Sequence, residues 1–204
     1  MPNHKEPWYE VADAENPSLS RIPFLMGDKS ISDDVVDKRM EKKLEAIDFP
    51  YGSPQYMIKR FKDGGYTTNA ALGIMGNLMV ESKLDPAIKQ IGGGPGRGLA
   101  QWGKRGRFDT DQINLVKFAK QKGKPWQDLD VQLDFIMHEM NVHPEYKKVK
   151  DKINNAKTVS EATTIFLKDY EKANEYKSHK DRRIKAAEDF GALIETIPGF
   201  NEQK

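Results

Sequence analysis

Residues 70–108 read AALGIMGNLMVESKLDPAIKQIGGGPGRGLAQWGKRGRF, and the rest of the chain is arranged around them. The first part is a helix. Thr67 or Thr68 supplies a capping hydroxyl, and small and apolar residues run on until Asp85-Pro86 stops the pattern, which places the end near Lys83. On a 3.6-residue period Glu81 shares a face with Gly73, Ile74, Asn77 and Leu78, so its carboxylate lies at the edge of the buried stripe rather than on a polar face. After it come Gly92-Gly-Gly-Pro-Gly-Arg-Gly98, with five glycines in seven positions, and Gly98-Leu99-Ala100-Gln101-Trp102.

These residue types suit a particular chemistry. A general acid must hold its proton near neutral pH. An apolar face and the last turn of a helix, where the dipole opposes negative charge, both favour the neutral carboxyl of Glu81. Ser82, beside it, is either a polar helix-end residue or a group that orients Glu81. Glycines allow sharp turns and close backbone approach to a ligand. Gln101 and Trp102 offer an amide and an aromatic plate, the usual pair for a pyranose ring; a core tryptophan is the competing reading.

Two other motifs fail on inspection. Gly98 to Lys104 spells GxxxxGK, but Arg105 stands where a P-loop needs Ser or Thr, and no apolar strand precedes it. His138 and His143 lie five residues apart, about 140° round a helix, and Pro144 follows at once, so HEMNVH is not a zinc-binding HExxH. No metal or other cofactor is expected.

The 204 residues fit one domain with an arm, or two small domains. With 31 % charged and 37 % hydrophobic residues the chain supports one core, and no apolar run reaches membrane-spanning length. Zero cysteines exclude disulfides and thiolate metal sites. MPNHKEPWYE lacks the basic-then-apolar layout of a signal peptide. Charge is segregated: residues 55–125 hold 13 Lys/Arg against 5 Asp/Glu. That excess suits an anionic polymer, or simply solvated lysines. It surrounds a glycine loop rather than a recognition helix with interleaved aromatics, so nucleic acid is not the expected partner.

Residues 1–52 read as an arm carrying Pro2, Pro7, Pro17 and Pro23, apolar anchors (Trp8, Tyr9, Ile22, Phe24, Leu25, Met26) and one charged helix over Ser32–Ala46. A linker, Phe49 to Pro54, leads into a domain over residues 53–200. Helices are expected over Pro54–Lys62, Thr110–Gln121, Asp128–Met140, Pro144–Asn154, Thr158–Lys172 and about His179–Ile197, with a small hairpin at most between Pro86 and Gln101. The expected class is mainly α, a helical bundle with a little β-structure.

GIMGNLMVES, GGGPGRG, GLAQW and KRGR, taken in that order, resemble the phage tail lysozyme family of the lysozyme-like superfamily, more distantly related to goose-type lysozymes and soluble lytic transglycosylases. DLDVQLDFIMHEM, ATTIFLKDYEKAN and RRIKAAEDF resemble its later segments, so the similarity covers about residues 55–195. The resemblance implies an α+β lysozyme-like fold with the hairpin beside a cleft. It implies Glu81 as general acid, with Ser82, Gly98, Leu99, Gln101, Trp102 and Tyr170 around the substrate, although a core tyrosine is the stronger reading of Tyr170. It implies peptidoglycan as substrate, a place in a virion at the tail tip or baseplate, and tail proteins as partners of the arm. A two-carboxylate hydrolase also needs a second acid. Residues 87–107 contain none, and among Asp85, Asp109, Asp111 and Glu139 none stands out. The alternatives are a transglycosylase-like route using one glutamate, or a lysozyme-like tail protein without turnover.

Overall fold

The computed structural model describes residues 53–173, 178–197 and 200; the expected arm over residues 1–52, with its expected helix, lies outside them. The described residues form seven α-helices: α1 Pro54–Asp63, α2 Thr68–Ser82, α3 Leu115–Gln121, α4 Leu129–Val142, α5 Lys147–Asn154, α6 Val159–Ile165 and α7 Lys180–Glu195. Two-residue strands, β1 (Gly96–Arg97) and β2 (Trp102–Gly103), pair antiparallel with Gly96 opposite Gly103 and Arg97 opposite Trp102. Lys89 adds a single antiparallel bridge to Arg97. This is the mainly helical, lysozyme-like α+β class expected.

Helix α2 is the axis of the bundle. The Thr67 hydroxyl accepts from Ala70 N at 3.3 Å and opens it. Every residue from Ala70 to Met79 is buried, so the helix has no polar face along that length, and the expected stripe is in fact a complete jacket. A helix apolar on all sides has to be enclosed by other elements. Here α7 and α6 cover it most extensively, with α1 against its flank.

Two glycines set the approach. A Cβ at Gly73 would lie 2.7 Å from the Ala162 carbonyl carbon on α6, and one at Gly76 would lie 2.6 Å from Ala187 Cβ on α7. Only hydrogen at these positions lets both neighbours pack so tightly, because real Cβ contacts do not close below about 3 Å. The helix ends through two left-handed residues, Lys83 (φ 54°) and Leu84 (φ 62°). Asp85 then accepts from Ala87 N at 2.7 Å, turning the chain away.

Three expected helices are shorter or altered. Helix α3 begins at Leu115 because residues 108–111 close turns onto the carbonyls of Gly103 and Gly106, and Asn114 provides the cap. Helix α5 begins at Lys147, after a turn from His143. The helix opened by Thr158, whose hydroxyl accepts from Glu161 N at 3.1 Å, remains α only to Ile165. Residues Phe166–Tyr170 form a π-turn, and Glu171 N bonds the carbonyl of Phe166, five residues back.

Candidate active site

Glu81 lies on the last turn of α2 with its side chain 19 % exposed, and its Oε1 accepts from Arg183 on the first turns of α7. The Arg183 side chain is only 4 % exposed. Its other N–H groups reach Glu171 Oε2 at 2.8 Å, Ser178 O at 2.7 Å and Asn77 Oδ1 at 3.1 Å. Asn77 is itself fixed, donating to Gly73 O at 2.7 Å and Thr163 O at 3.0 Å. One guanidinium therefore joins α2, α7 and the segment after the π-turn, with two carboxylates upon it.

The second carboxylate was not foreseen. Glu171 stands in the DYEKAN segment, but its side chain is 5 % exposed and reaches Glu81 only through a 90-residue excursion of chain. Burial and then the neighbouring charge of Glu81 push its pKa well above the ordinary carboxylate range, against the pull of Arg183. Its Oε1 is buried without a hydrogen-bond donor. The sequence signal was the residue beside Tyr170, with no spacing rule to mark it.

The acids considered from sequence lie elsewhere. Asp85 caps its own turn, and Asp109 accepts from Arg105 N at 2.7 Å on the surface. Glu139 is completely buried on α4 and saturated. Arg107 donates to it from Nε at 2.8 Å and from its terminal nitrogen at 2.7 Å, Tyr170 OH donates at 2.5 Å and Trp102 Nε1 at 3.2 Å. Arg107 also lies over the rings of Tyr146 and Tyr170, at 4.4 and 4.3 Å, and the two rings touch each other with centroids 5.3 Å apart.

That cluster accounts for two residues assigned to the cleft. Trp102 is 2 % exposed, packs edge-on against Phe135 at 5.5 Å, and presents no ring face to a ligand. Tyr170 is fully buried, stacked on Phe166 at 4.4 Å. Both are core residues here, which corrects their placement in the cleft: the polar tips that made them look like ligand groups are spent on Glu139. Leu99 is likewise fully buried, and Ser82 turns its hydroxyl back to Leu78 O at 2.9 Å instead of toward Glu81. Their side chains are not available to a substrate.

Gly98 and Gln101 shape the return. Gly98 adopts φ 67°, and a Cβ there would stand 2.5 Å from Gln132 Oε1. Gln132 is a further residue missed from sequence. Buried on α4, it accepts from Leu99 N at 2.8 Å and donates to Pro86 O at 2.6 Å and Trp126 O at 2.7 Å, pinning both ends of the excursion that carries the hairpin. Gln101, half-buried with φ 48°, donates to Gly98 O at 2.9 Å.

The sequence pattern of the phage tail lysozyme family matches residues 53–193. The chain belongs to the phage tail lysozyme family. Among curated relatives, Morphogenesis protein 1 of Bacillus phage B103 is 28 % identical over 127 residues, a match covering 58 % of this chain and 33 % of that protein. The chain thus spans about a third of the length of the curated relative it matches. In this phage lysozyme-like chain, the partly exposed carboxylate at the end of the enclosed helix α2 is Glu81, the residue that the sequence had singled out. No described helix is long and apolar enough to cross a membrane.

Proposed function

We propose that residues 53–200 form a peptidoglycan-cleaving domain acting on the MurNAc-GlcNAc β-1,4 bond, with Glu81 as the general acid. The carrying observation is the placement of Glu81: partly exposed at the end of an enclosed helix, and oriented by a buried arginine that is itself held by Asn77 and Ser178. A proton donor needs a fixed direction and access to its target. Membership of the phage tail lysozyme family supports peptidoglycan as the substrate class. Gln101 and the backbone around Gly98 are the cleft-lining groups in this reading, with no sugar stacking assigned to Trp102 or Tyr170.

Glu171 does not fill the role of a nucleophile. It is more buried than Glu81 and held on the same guanidinium, whereas a retaining hydrolase needs its second carboxylate across the scissile bond, about 5 Å from the acid. The arrangement favours one glutamate acting first as acid and then as base, the muramyl 6-hydroxyl closing an anhydro ring. Residues 1–52 attach the domain to the phage tail or baseplate, where it opens the wall during infection.

A digest of purified peptidoglycan, read by mass spectrometry, tests this. Soluble muropeptides with anhydro ends are expected from the wild type and not from Glu81→Gln; reducing ends would mean hydrolysis instead. The name of the phage relative favours a second reading, a lysozyme-like structural protein of the particle without turnover. That reading replaces the first if the wild type releases nothing where a control lysozyme works. A deletion of residues 1–52 that leaves incorporation into particles unchanged removes the attachment role.

A further inference from the structure

We propose that Glu81 and Glu171 hold one proton between them on Arg183, and that Glu171 is the positioning residue that lets Glu81 carry that proton when substrate is bound. The inference rests on the proposed role of Glu81 and concerns what sets its charge.

The geometry poses a charge problem. Two carboxylates share one guanidinium, and all three side chains lie largely out of water. With both acids ionised, the group bears a net negative charge in a poorly solvated place; with one proton added it is neutral. Burial favours the neutral form. Among the described residues, Glu81 and Glu171 form ion pairs with Arg183 alone. The other cation acting on Glu171 is Arg107, and that side chain is committed to Glu139. Glu81 and Glu171 are held on the two terminal nitrogens of the same guanidinium, and Glu171 Oε1 has no donor. A proton lying between the two acids satisfies both conditions.

Two arrangements of equal charge follow. In one, Glu171 is neutral and Glu81 is the carboxylate paired with Arg183. In the other, the O–H bond of Glu171 has broken and one on Glu81 has formed, leaving Glu171 as the counter-charge of Arg183. The first is competent as a base and the second as an acid. Moving between them transfers one proton over one hydrogen bond and needs no other reactant. Without Glu171 the whole charge of Arg183 would fall on Glu81 and draw the proton off it. The groups facing the pair are Arg183 from α7, Asn77 from α2 and the more distant Arg107 from the return loop.

The test uses the full chain carrying ¹³C-carboxyl glutamate. NMR titrations of wild type, Glu81→Gln and Glu171→Gln are combined with rate-against-pH profiles on peptidoglycan. One carboxyl carbon of the wild type is expected to stay at its protonated shift at pH 7, where ordinary glutamates with pKa about 4.3 are ionised. In Glu81→Gln the Glu171 transition should move to lower pH, since the like charge has gone. In Glu171→Gln the alkaline limb of kcat should fall by about one pH unit or more, with KM little changed. Two wild-type carboxyls both ionised by pH 6, or a Glu171 transition unmoved by Glu81→Gln, would overturn the shared proton. An unmoved alkaline limb in folded Glu171→Gln overturns the positioning role. A wild type that titrates as expected yet releases no muropeptides upholds the proton pair and sinks the glycosidase reading, so the two fail separately.

Discussion

Two buried carboxylate clusters stand on either side of the π-turn, and they are built on opposite plans. At Glu139 one carboxylate meets four donors from Arg107, Tyr170 and Trp102, and every polar atom is answered. At Arg183 two carboxylates meet one guanidinium, and Glu171 Oε1 is left without a donor. A saturated network fixes structure, because any movement breaks several bonds in a medium that rewards each of them. An undersupplied network, in the reading proposed above, keeps a proton in play. The same residue types are fully satisfied in one place and undersupplied in the other, and the ratio of acids to donors makes the difference.

The sharpest way to break this contrast is to neutralise each acid in turn. Glu81→Gln should lower the peptidoglycan cleavage rate by about 10² to 10⁴, the contribution typical of a positioned acid, while unfolding in urea changes little because Arg183 keeps Glu171. Glu139→Gln should do the reverse. It leaves Arg107 buried without a counter-charge, at a cost of about 3–5 kcal/mol in a urea melt. Equal loss of stability in both variants would erase the distinction.

Packing offers a second handle. Gly76→Ala places a methyl against Ala187 and the Arg183 carbonyl, and should destabilise by about 1–3 kcal/mol by overpacking. It should also lower the rate, since α7 carries Arg183 away from Glu81, without disturbing the Glu139 cluster. Near-ultraviolet circular dichroism of the buried Trp102 would check that the cluster is intact.

The smallest effect concerns pH. The pKa of Glu171 is raised in the folded protein, so the native state keeps a proton that the unfolded chain gives up above about pH 4.3. Stability contributed at this residue is therefore lost as pH rises from there toward the folded-state pKa. Glu171→Gln removes that loss. Its stability relative to wild type should rise between urea melts at pH 4 and pH 7; a constant difference would mean that Glu171 is ionised in both states.

Much of the fold was legible because it is written locally. Thr67 caps the helix it was expected to open, and Asp128 and Thr158, read as the first residues of two helices, are their caps, each accepting from the amide three residues on. Glu81 stands where the sequence put it, at the end of an apolar helix. The π-turn was not legible, since Phe166-Leu-Lys-Asp-Tyr170 satisfies an α-period as well as any neighbouring segment. The partners of Glu81 were hidden for another reason. Arg183 lies 102 residues away and Glu171 90, and only the packing of α7 against Gly76 brings the arginine in. Trp102 was misjudged because an indole suited to a sugar is equally suited to a core with one buried acceptor, and Glu139 gave no sign in sequence that it would be that acceptor.

The turn at Phe166–Tyr170 has a consequence for how this domain can vary. It directs two adjacent residues to different centres, Tyr170 to Glu139 and Glu171 to Arg183. Loss of one codon there would restore an α-register and rotate everything beyond it by about 100°. Such a chain would differ by a single residue and still misdirect an acid. In this domain, part of the inheritance is carried by length rather than by identity.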